Sequence, residues 1–154
     1  MAQIKLSTTI NAPIEHCFDL ARSIDLHIVS TKQTGEKATA GRTTGLIALG
    51  ETVTWRARHL GIRQTLTSKI TEFDYPNHFT DEMVKGAFKS FKHGHYFIRD
   101  GEQTIMKDVF TFESPFGLLG ELVNYLFLNR YMNRLLEKRN EVIKEAAEEL
   151  AGFY

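Results

Sequence analysis

The stretch FTDEMVKGAFKSFKHGHYFIRDGEQTIMKDVFTFE, Phe79 to Glu113, contains three runs of aliphatic, aromatic and threonine residues separated by two short turns. The first turn falls at Lys85 and Gly86, and the second at Asp100 and Gly101. Strands joined by such short connections pair antiparallel, because a parallel connection needs a dozen or more residues. The stretch therefore predicts an antiparallel sheet.

The upstream sequence extends this sheet and adds two helices. IKLSTTI at 4–10 alternates as a strand does, and ETVTWRARH at 51–59 and IRQTLTSKITEF at 62–73 are further predicted strands. A polar strand is expected in GEKATAG at 35–41. Pro13 suits the first position of a short helix through Ala21, with Ile14, Phe18 and Ala21 on its apolar face. A second short helix is predicted for 23–30.

The sequence after SPFG predicts one long helix. Apolar residues recur there at intervals of three and four from about position 118 to 150, which corresponds to roughly 50 Å of helix. Such a helix must bury its apolar stripe against the concave face of the sheet. The expected stripe consists of Leu122, Tyr125, Leu128, Met132, Leu135, Val142, Ala146 and Leu150.

Composition narrows the class of protein. The chain has 154 residues, 42% of them hydrophobic, so we expect a single domain over residues 1–154. Its 19 basic and 19 acidic residues cancel, and this balance gives no reason to expect nucleic acid as a partner. No signal peptide and no apolar stretch of membrane-spanning length is recognised. With Cys17 as its single cysteine, the protein is expected to be cytoplasmic.

Two histidines stand out on the sixth predicted strand. His93 and His95 are two residues apart, so they share one face of the strand with Phe91 and Phe97. On the next strand, Asp108 shares a face with apolar neighbours, where an ionised carboxylate is costly unless it is paired. We therefore expect a His–Asp pair. Such a pair can anchor a ligand, serve as a general base, or satisfy itself as a buried polar pair.

A metal site is the alternative interpretation of the same histidines. A His-x-His pair on a strand can donate two nitrogens to one ion, with Asp108, Glu51 or Glu82 as oxygen donors. No further ligand spacing supports it, and no phosphate loop, serine elbow or nucleotide motif occurs. We therefore predict no metal and no cofactor.

The order of these elements resembles that of a known superfamily. The resemblance is carried by the stretches INAPIEHCFDLA, ETVTWRARHLGI, ITEFDYPNHFTDEMVKGAFKSFKHGHYF, TIMKDVFTFESPFGLLG and LLEKRNEVIKEAAE. Through them the chain is similar to START-like (SRPBCC) proteins, the group of polyketide cyclase-like and ligand-binding proteins. The resemblance implies an α+β helix-grip fold, with a curved antiparallel sheet of about seven strands around a long C-terminal helix and two short helices after the first strand.

The resemblance further implies a cavity between the sheet and the long helix that encloses a hydrophobic, lipid-like or aromatic ligand. An alternative is a cofactor-independent cyclase or hydrolase, with His93 or His95 as general base and Asp108 orienting it. A third interpretation is a filled cavity and a protein–protein interface; monomer and homodimer both stay open. The residues predicted to contact the ligand are Trp55, His59, Met83, Phe91, His93, His95, Met106, Asp108, Phe110, Leu122 and Leu126.

Overall fold

A computed structural model describes residues 1–114, 122 and 127–152. Within these residues the predicted order of strands and helices is confirmed. The elements are β1 (Ala2–Ile10), α1 (Ile14–Ala21), α2 (Ile24–Ser30), a short 3-10 helix (Lys32–Thr34), β2 (Lys37–Gly41), β3 (Thr52–His59), β4 (Ile62–Asp74), β5 (His78–Lys85), β6 (Ser90–Asp100), β7 (Gln103–Glu113) and α3 (Asn129–Leu150). Most of the predicted first third of the long helix lies outside the described residues.

The seven described strands form one curved antiparallel sheet in the order β1-β7-β6-β5-β4-β3-β2. The first strand, β1, therefore pairs with the last strand, β7, and Ile4 lies opposite Phe110. Irregularities in register occur between β2 and β3 and between β4 and β5. The β6–β7 register is continuous, with Phe91 opposite Phe112 and His95 opposite Asp108. The face that both histidines share with Phe91 and Phe97 is the inner face of the sheet, since all four residues are buried.

Gly94 lies between the two histidines, and a larger side chain at this position would clash on the outer face of the sheet. A Cβ added there would lie 2.7 Å from the ring of Tyr96. That ring stacks on His78 of the neighbouring strand at a centroid distance of 4.6 Å. Glycine therefore leaves room for the outer aromatic pair while the two imidazoles point inward.

The long helix packs against β1, α1 and α2, and from Leu135 onward it does so through a face other than the predicted stripe. Its buried residues are Leu136, Arg139, Asn140, Ile143, Ala147 and Glu148. Leu135, Val142 and Ala146 are only half-buried, and Leu150 is 62% exposed. The helix is thus rotated by about one residue, roughly 100°, from the orientation that apolar periodicity predicts. The cause is the burial of Arg139 and Asn140, which form hydrogen bonds with His95 and Asp108 of the sheet.

The buried apolar side chains form two clusters. The Phe18 cluster includes residues of α1, β1, β3, β5, β6, β7 and α3: Ile10, Ile14, Cys17, Phe18, Trp55, Phe79, Phe97, Met106, Ile143 and Ala147 among others. The Phe110 cluster consists of Ile4, Phe91, Phe110, Phe112 and Leu136. The two clusters lie toward opposite ends of the same strands and of α3. The residues between these ends therefore separate the clusters.

Phe18 is the centre of the first cluster, and it is fully buried. Its ring meets Phe73, Tyr75 and Phe79 edge-on, at centroid distances of 5.3, 5.0 and 5.2 Å. Edge-to-face contacts of this kind add to the free energy gained by burying the ring. Phe18 therefore attaches α1 to the sheet.

We expect Phe18→Ala to lower the free energy of unfolding by about 3–5 kcal/mol, because it leaves a cavity where a fully buried ring was. Urea denaturation of both proteins measures the difference. Val29→Ala on α2, where the side chain is 60% exposed, is the control and should change stability by less than about 0.5 kcal/mol. Equal effects of the two substitutions would contradict this role of Phe18.

Candidate functional site

A layer of polar side chains separates the two apolar clusters. The elements β5, β6, β7 and α3 each carry inward-facing apolar residues of both clusters or packed against them. On each element, polar residues lie at the same level, between a residue of the Phe18 cluster and one that packs in or against the Phe110 cluster. The polar layer consists of Asp81 on β5, His93 and His95 on β6, Asp108 on β7, and Arg139 and Asn140 on α3. It joins the sheet to the long helix through hydrogen bonds.

Asp108 is the best-enclosed member of the polar layer, at 1% exposed. Its Oδ1 lies 2.8 Å from Nε2 of His93, and its Oδ2 accepts a hydrogen bond of 2.7 Å from Nδ2 of Asn140. Burial by itself would raise the pKa of this carboxyl. The hydrogen bond from His93 and the charge of Arg139, 3.5 Å away, outweigh burial and hold the pKa well below its usual range. Asp108 is therefore ionised.

His95 has both ring nitrogens engaged. Its Nε2 lies 2.7 Å from Oδ1 of Asp81, and its Nδ1 lies 3.4 Å from a guanidinium nitrogen of Arg139. The ring is stacked between Phe79 and His93 at centroid distances of 4.1 and 3.8 Å. Burial, aided by the neighbouring His93, lowers the pKa of His95 to about 3. The ring is therefore neutral, donating from Nε2 to Asp81 and accepting at Nδ1 from Arg139.

His93 differs from His95 in having an open nitrogen. Because Asp108 is ionised and can only accept, Nε2 of His93 must donate to it. This leaves Nδ1 as the acceptor of the neutral ring, and Nδ1 has no hydrogen-bond partner in the described part of the chain. The rings of His93 and Phe110 are nearly perpendicular, with their centroids 5.3 Å apart, so His93 borders the Phe110 cluster. An imidazole oriented by a carboxylate can accept a hydrogen bond or a proton at this atom.

Apolar side chains beside the Phe110 cluster are left partly accessible. Seven of them pack against this cluster and yet are only half-buried: Ala2 and Leu6 on β1, and Leu66, Met83, Phe88, Leu128 and Met132. The last five come from β4, β5, the β5–β6 turn and the region where α3 begins. Partly covered methionine and phenylalanine side chains around a few polar groups are typical of a binding site for an apolar molecule.

Only some of the predicted ligand residues lie close together in the structure. Met83, Phe91 and Phe110 lie with the two histidines and Asp108. Trp55 and the fully buried Met106 lie in the Phe18 cluster, across the polar layer. Leu122 is 56% exposed, and Leu126 is outside the described residues.

His59 lies at the end of β3 and contacts the long helix. Its Nδ1 is 2.7 Å from the hydroxyl of Tyr131. Burial lowers the pKa of His59, which favours the neutral ring as acceptor for that hydroxyl. This predicted ligand residue thus ties the β3–β4 hairpin to α3.

Three members of the polar layer were not predicted: Asp81, Arg139 and Asn140. Asp81 alternates with Phe79 and Met83 on β5, so its inward facing could have been inferred from the strand period. Arg139 and Asn140 are three and four residues after Leu136, and four and three before Ile143. This spacing places them on one helix face with apolar residues, but their polarity argued against burial.

Asp81, His93 and His95 also form a group that could hold a metal ion, with one ligand atom each within 4.8 Å of the others. The geometry does not favour coordination. The two rings are stacked 30° from parallel, so their in-plane lone pairs run side by side instead of converging on one ion. Arg139 also places a permanent positive charge 3.4 Å from Nδ1 of His95.

A surface cleft of about 540 Å³ lies at the other end of the molecule. It is bordered by the loop from β1 to α1, the β6–β7 turn and the end of α3, including Glu15, His16, Arg99 and Leu150. None of the predicted ligand residues lines it. Nδ1 of His16 is buried without a hydrogen-bond partner within the described residues.

Comparison with known proteins agrees with this architecture. The model of a family described as polyketide cyclase / dehydrase and lipid transport matches residues 1–148. The chain belongs to this family, and the START-like resemblance is confirmed. No protein with a curated description matches the chain.

Solved structures confirm the helix-grip fold. The protein TTHA0849 from Thermus thermophilus is 20% identical, with a TM-score of 0.74 and coverage of 95% of this chain and 99% of that one. A START superfamily protein from Mycobacterium smegmatis is 12% identical, with a TM-score of 0.71 and coverage of 96% and 98%. Ginseng major latex-like protein 151 from Panax ginseng is 18% identical, with a TM-score of 0.69 and coverage of 95% and 97%.

Among residues 1–114, 122 and 127–152, no helix combines the length and the apolar character needed to span a membrane.

The polar layer should make stability depend on pH. The pKa of His95 is about 3 in the folded protein and about 6.5 when unfolded, so between these values the unfolded chain binds a proton that the folded chain does not. The free energy of unfolding should fall with decreasing pH, by at most about 1.4 kcal/mol per pH unit from this group. The pKa values of Asp81 and Asp108 are also lowered, which adds further loss at still lower pH.

Urea denaturation between about pH 7 and pH 4 measures this slope. In His95→Gln the slope should be shallower, because the titrating ring is gone while an amide can still donate to Asp81. An unchanged slope in the variant would show that His95 is not the responsible group.

Arg139→Leu should lower the free energy of unfolding by about 3–5 kcal/mol, because it removes the cation facing buried Asp108. In an Asp108→Asn background the same substitution should cost about 1–3 kcal/mol less, because the charge is already gone. Arg134→Leu, on an exposed position of the same helix, is the matched control. Additive effects at Arg139 and Asp108 would mean that the two side chains are not coupled.

Proposed function

We propose that this protein binds an apolar, lipid-like or aromatic small molecule between the polar layer and the half-buried side chains beside the Phe110 cluster. The observation that carries the proposal is the position of His93 Nδ1. It is a hydrogen-bond acceptor without a partner in the described chain, and its ring contacts Phe110, around whose cluster several apolar side chains are only half-buried. A ligand that covered those side chains would gain about 25 cal/mol per Å² of apolar area removed from water.

The charges of the polar layer favour a ligand whose polar end donates a hydrogen bond. The layer contains two carboxylates, Asp81 and Asp108, and one guanidinium, Arg139. Asp81 is its most accessible charged side chain, at 19% exposed, against 8% for Arg139 and none for Asp108. A hydroxyl group fits His93 Nδ1 and Asp81, whereas a carboxylate would meet like charge. The proposed ligand therefore has an apolar body and a hydroxyl.

The family supports the same substrate class at a coarser level. Its description names polyketide cyclases, dehydrases and lipid transport, all of which concern largely apolar molecules. Family membership does not select one of these activities, because one fold serves many chemistries.

The second candidate function is acid–base catalysis on the same ligand. The Asp108–His93 pair favours it, because the carboxylate fixes the tautomer that leaves Nδ1 as a base. His95 does not fit this role, because both of its nitrogens are engaged and its pKa is lowered to about 3. Proton transfer of this kind would require His93 to reach an acidic C–H or O–H of the ligand.

Native mass spectrometry of the purified protein, followed by organic extraction and mass analysis, should identify a bound apolar molecule or its class. Its affinity is then compared in matched histidine variants. His93→Gln keeps a donor toward Asp108 and removes the Nδ1 acceptor, so binding of a hydroxylated ligand should weaken roughly threefold to tenfold. His95→Gln is the control and should bind as the wild type does.

The two functions give different results with these variants. For a binding protein, the ligand is recovered unchanged and His93→Gln affects affinity alone. For an enzyme, His93→Gln and Asp108→Asn lower turnover by about 10²-fold or more, with little change in binding. An empty protein that binds neither fatty alcohols nor hydroxylated aromatic compounds would overturn both proposals.

A further inference from the structure

The tip of the β3–β4 hairpin carries aliphatic side chains where turn chemistry disfavours them. The two turn residues, Leu60 and Gly61, both have left-handed backbone, with φ of 54° and 78°. Asn, Asp and Gly are the residues that suit such a turn, and a leucine there is strained. Leu60 is 54% exposed, and Ile62 beside it is 63% exposed. Neither side chain is explained by packing within the described residues.

The outer face of this hairpin is basic and uncompensated. Arg58 lies directly opposite Arg63 in the β3–β4 register, and Arg56 lies opposite Lys37 of β2. All four side chains belong to exposed residues. Like charges placed opposite one another are unfavourable, and no acidic partner is found for any of the four in the described part of the chain. A local cationic face thus exists on a chain whose net charge is zero.

We propose that this hairpin docks onto an anionic lipid membrane. Leu60 and Ile62 enter the boundary between headgroups and acyl chains, while Lys37, Arg56, Arg58 and Arg63 face the lipid phosphates. Exposed aliphatic residues next to uncompensated cations are the combination that binds anionic lipid interfaces. A nucleic acid would account for the cations but not for an aliphatic tip without an aromatic ring.

The docking surface lies at the same end of the molecule as the Phe110 cluster and its half-buried neighbours. His59, next to Leu60, contacts Tyr131 in the first turn of α3. Leu128 and Met132, two of the half-buried residues, are close to Tyr131 in the chain. Phe127, one turn before Tyr131, is 52% exposed. The inference does not depend on the proposed ligand, because docking concerns the outer surface of the ligand-free protein.

Vesicle flotation of the purified protein tests the proposal. We expect binding to vesicles of phosphatidylcholine with phosphatidylglycerol, weaker binding to phosphatidylcholine alone, and release by salt. Leu60→Asn should weaken the binding about tenfold while keeping or raising the melting temperature, because asparagine tolerates the left-handed turn. A loss of binding in a fold that is at least as stable cannot be ascribed to unfolding.

Matched controls separate the tip from other exposed residues. Ile62→Thr should weaken binding, whereas Ile98→Thr, on an exposed isoleucine toward the opposite end of the sheet, should not. Arg63→Gln should weaken binding about fivefold at low salt, and Lys107→Gln on β7 should have no such effect. The proposal is overturned if the wild-type protein does not bind anionic vesicles. It is also overturned if Ile98→Thr weakens vesicle binding as much as Ile62→Thr does, or if the tip variants abolish a dimer without changing flotation.

Discussion

The ionised carboxylate of Asp108, fully enclosed between the sheet and the long helix, is the constraint on which the rest of the structure depends. A buried charge is tolerated only when its oxygens are hydrogen-bonded and a countercharge lies near. His93 from β6 and Asn140 from α3 bond its two oxygens, and Arg139 supplies the countercharge. These requirements fix the β6–β7 register and the rotation of α3 together. A one-residue slip of either strand would turn one of the bonded partners out of the interior.

The same constraint creates the candidate site. Because the proton-bearing nitrogen of His93 donates a hydrogen bond to Asp108, the other nitrogen of this ring, which borders the Phe110 cluster, is left as an acceptor. His95 shows the opposite outcome, since Asp81 and Arg139 engage both of its nitrogens. Two histidines two residues apart thus have different chemistry. Both ring nitrogens of His95 are engaged in structural contacts, whereas Nδ1 of His93 has no partner within the described residues. The difference comes from their neighbours on β5, β7 and α3 and not from the strand that carries them.

Much of the architecture could be predicted from local patterns. Strand alternation correctly placed Phe91, His93, His95 and Phe97 on one face, because the β6 register contains no bulge that would change their facing. Apolar periodicity failed on the long helix. It favoured the face with Leu135 and Val142, whereas the structure buries the face with Arg139. A count of apolar residues cannot weigh a buried arginine correctly, because its partner Asp108 is 31 positions away in the chain and meets it only after folding.

The sequence by itself determined the class of fold, the order of strands and helices, and the face that the two histidines share with Phe91 and Phe97. These follow from interactions between residues close in the chain: side-chain alternation, turn chemistry and helix period. Only the tertiary structure decided which residues complete the polar layer, which histidine keeps an open nitrogen, and where apolar side chains stay accessible. Hydrogen bonding and burial in the polar layer join β5, β6, β7 and α3, and the distances between such distant segments are defined only by the assembled fold.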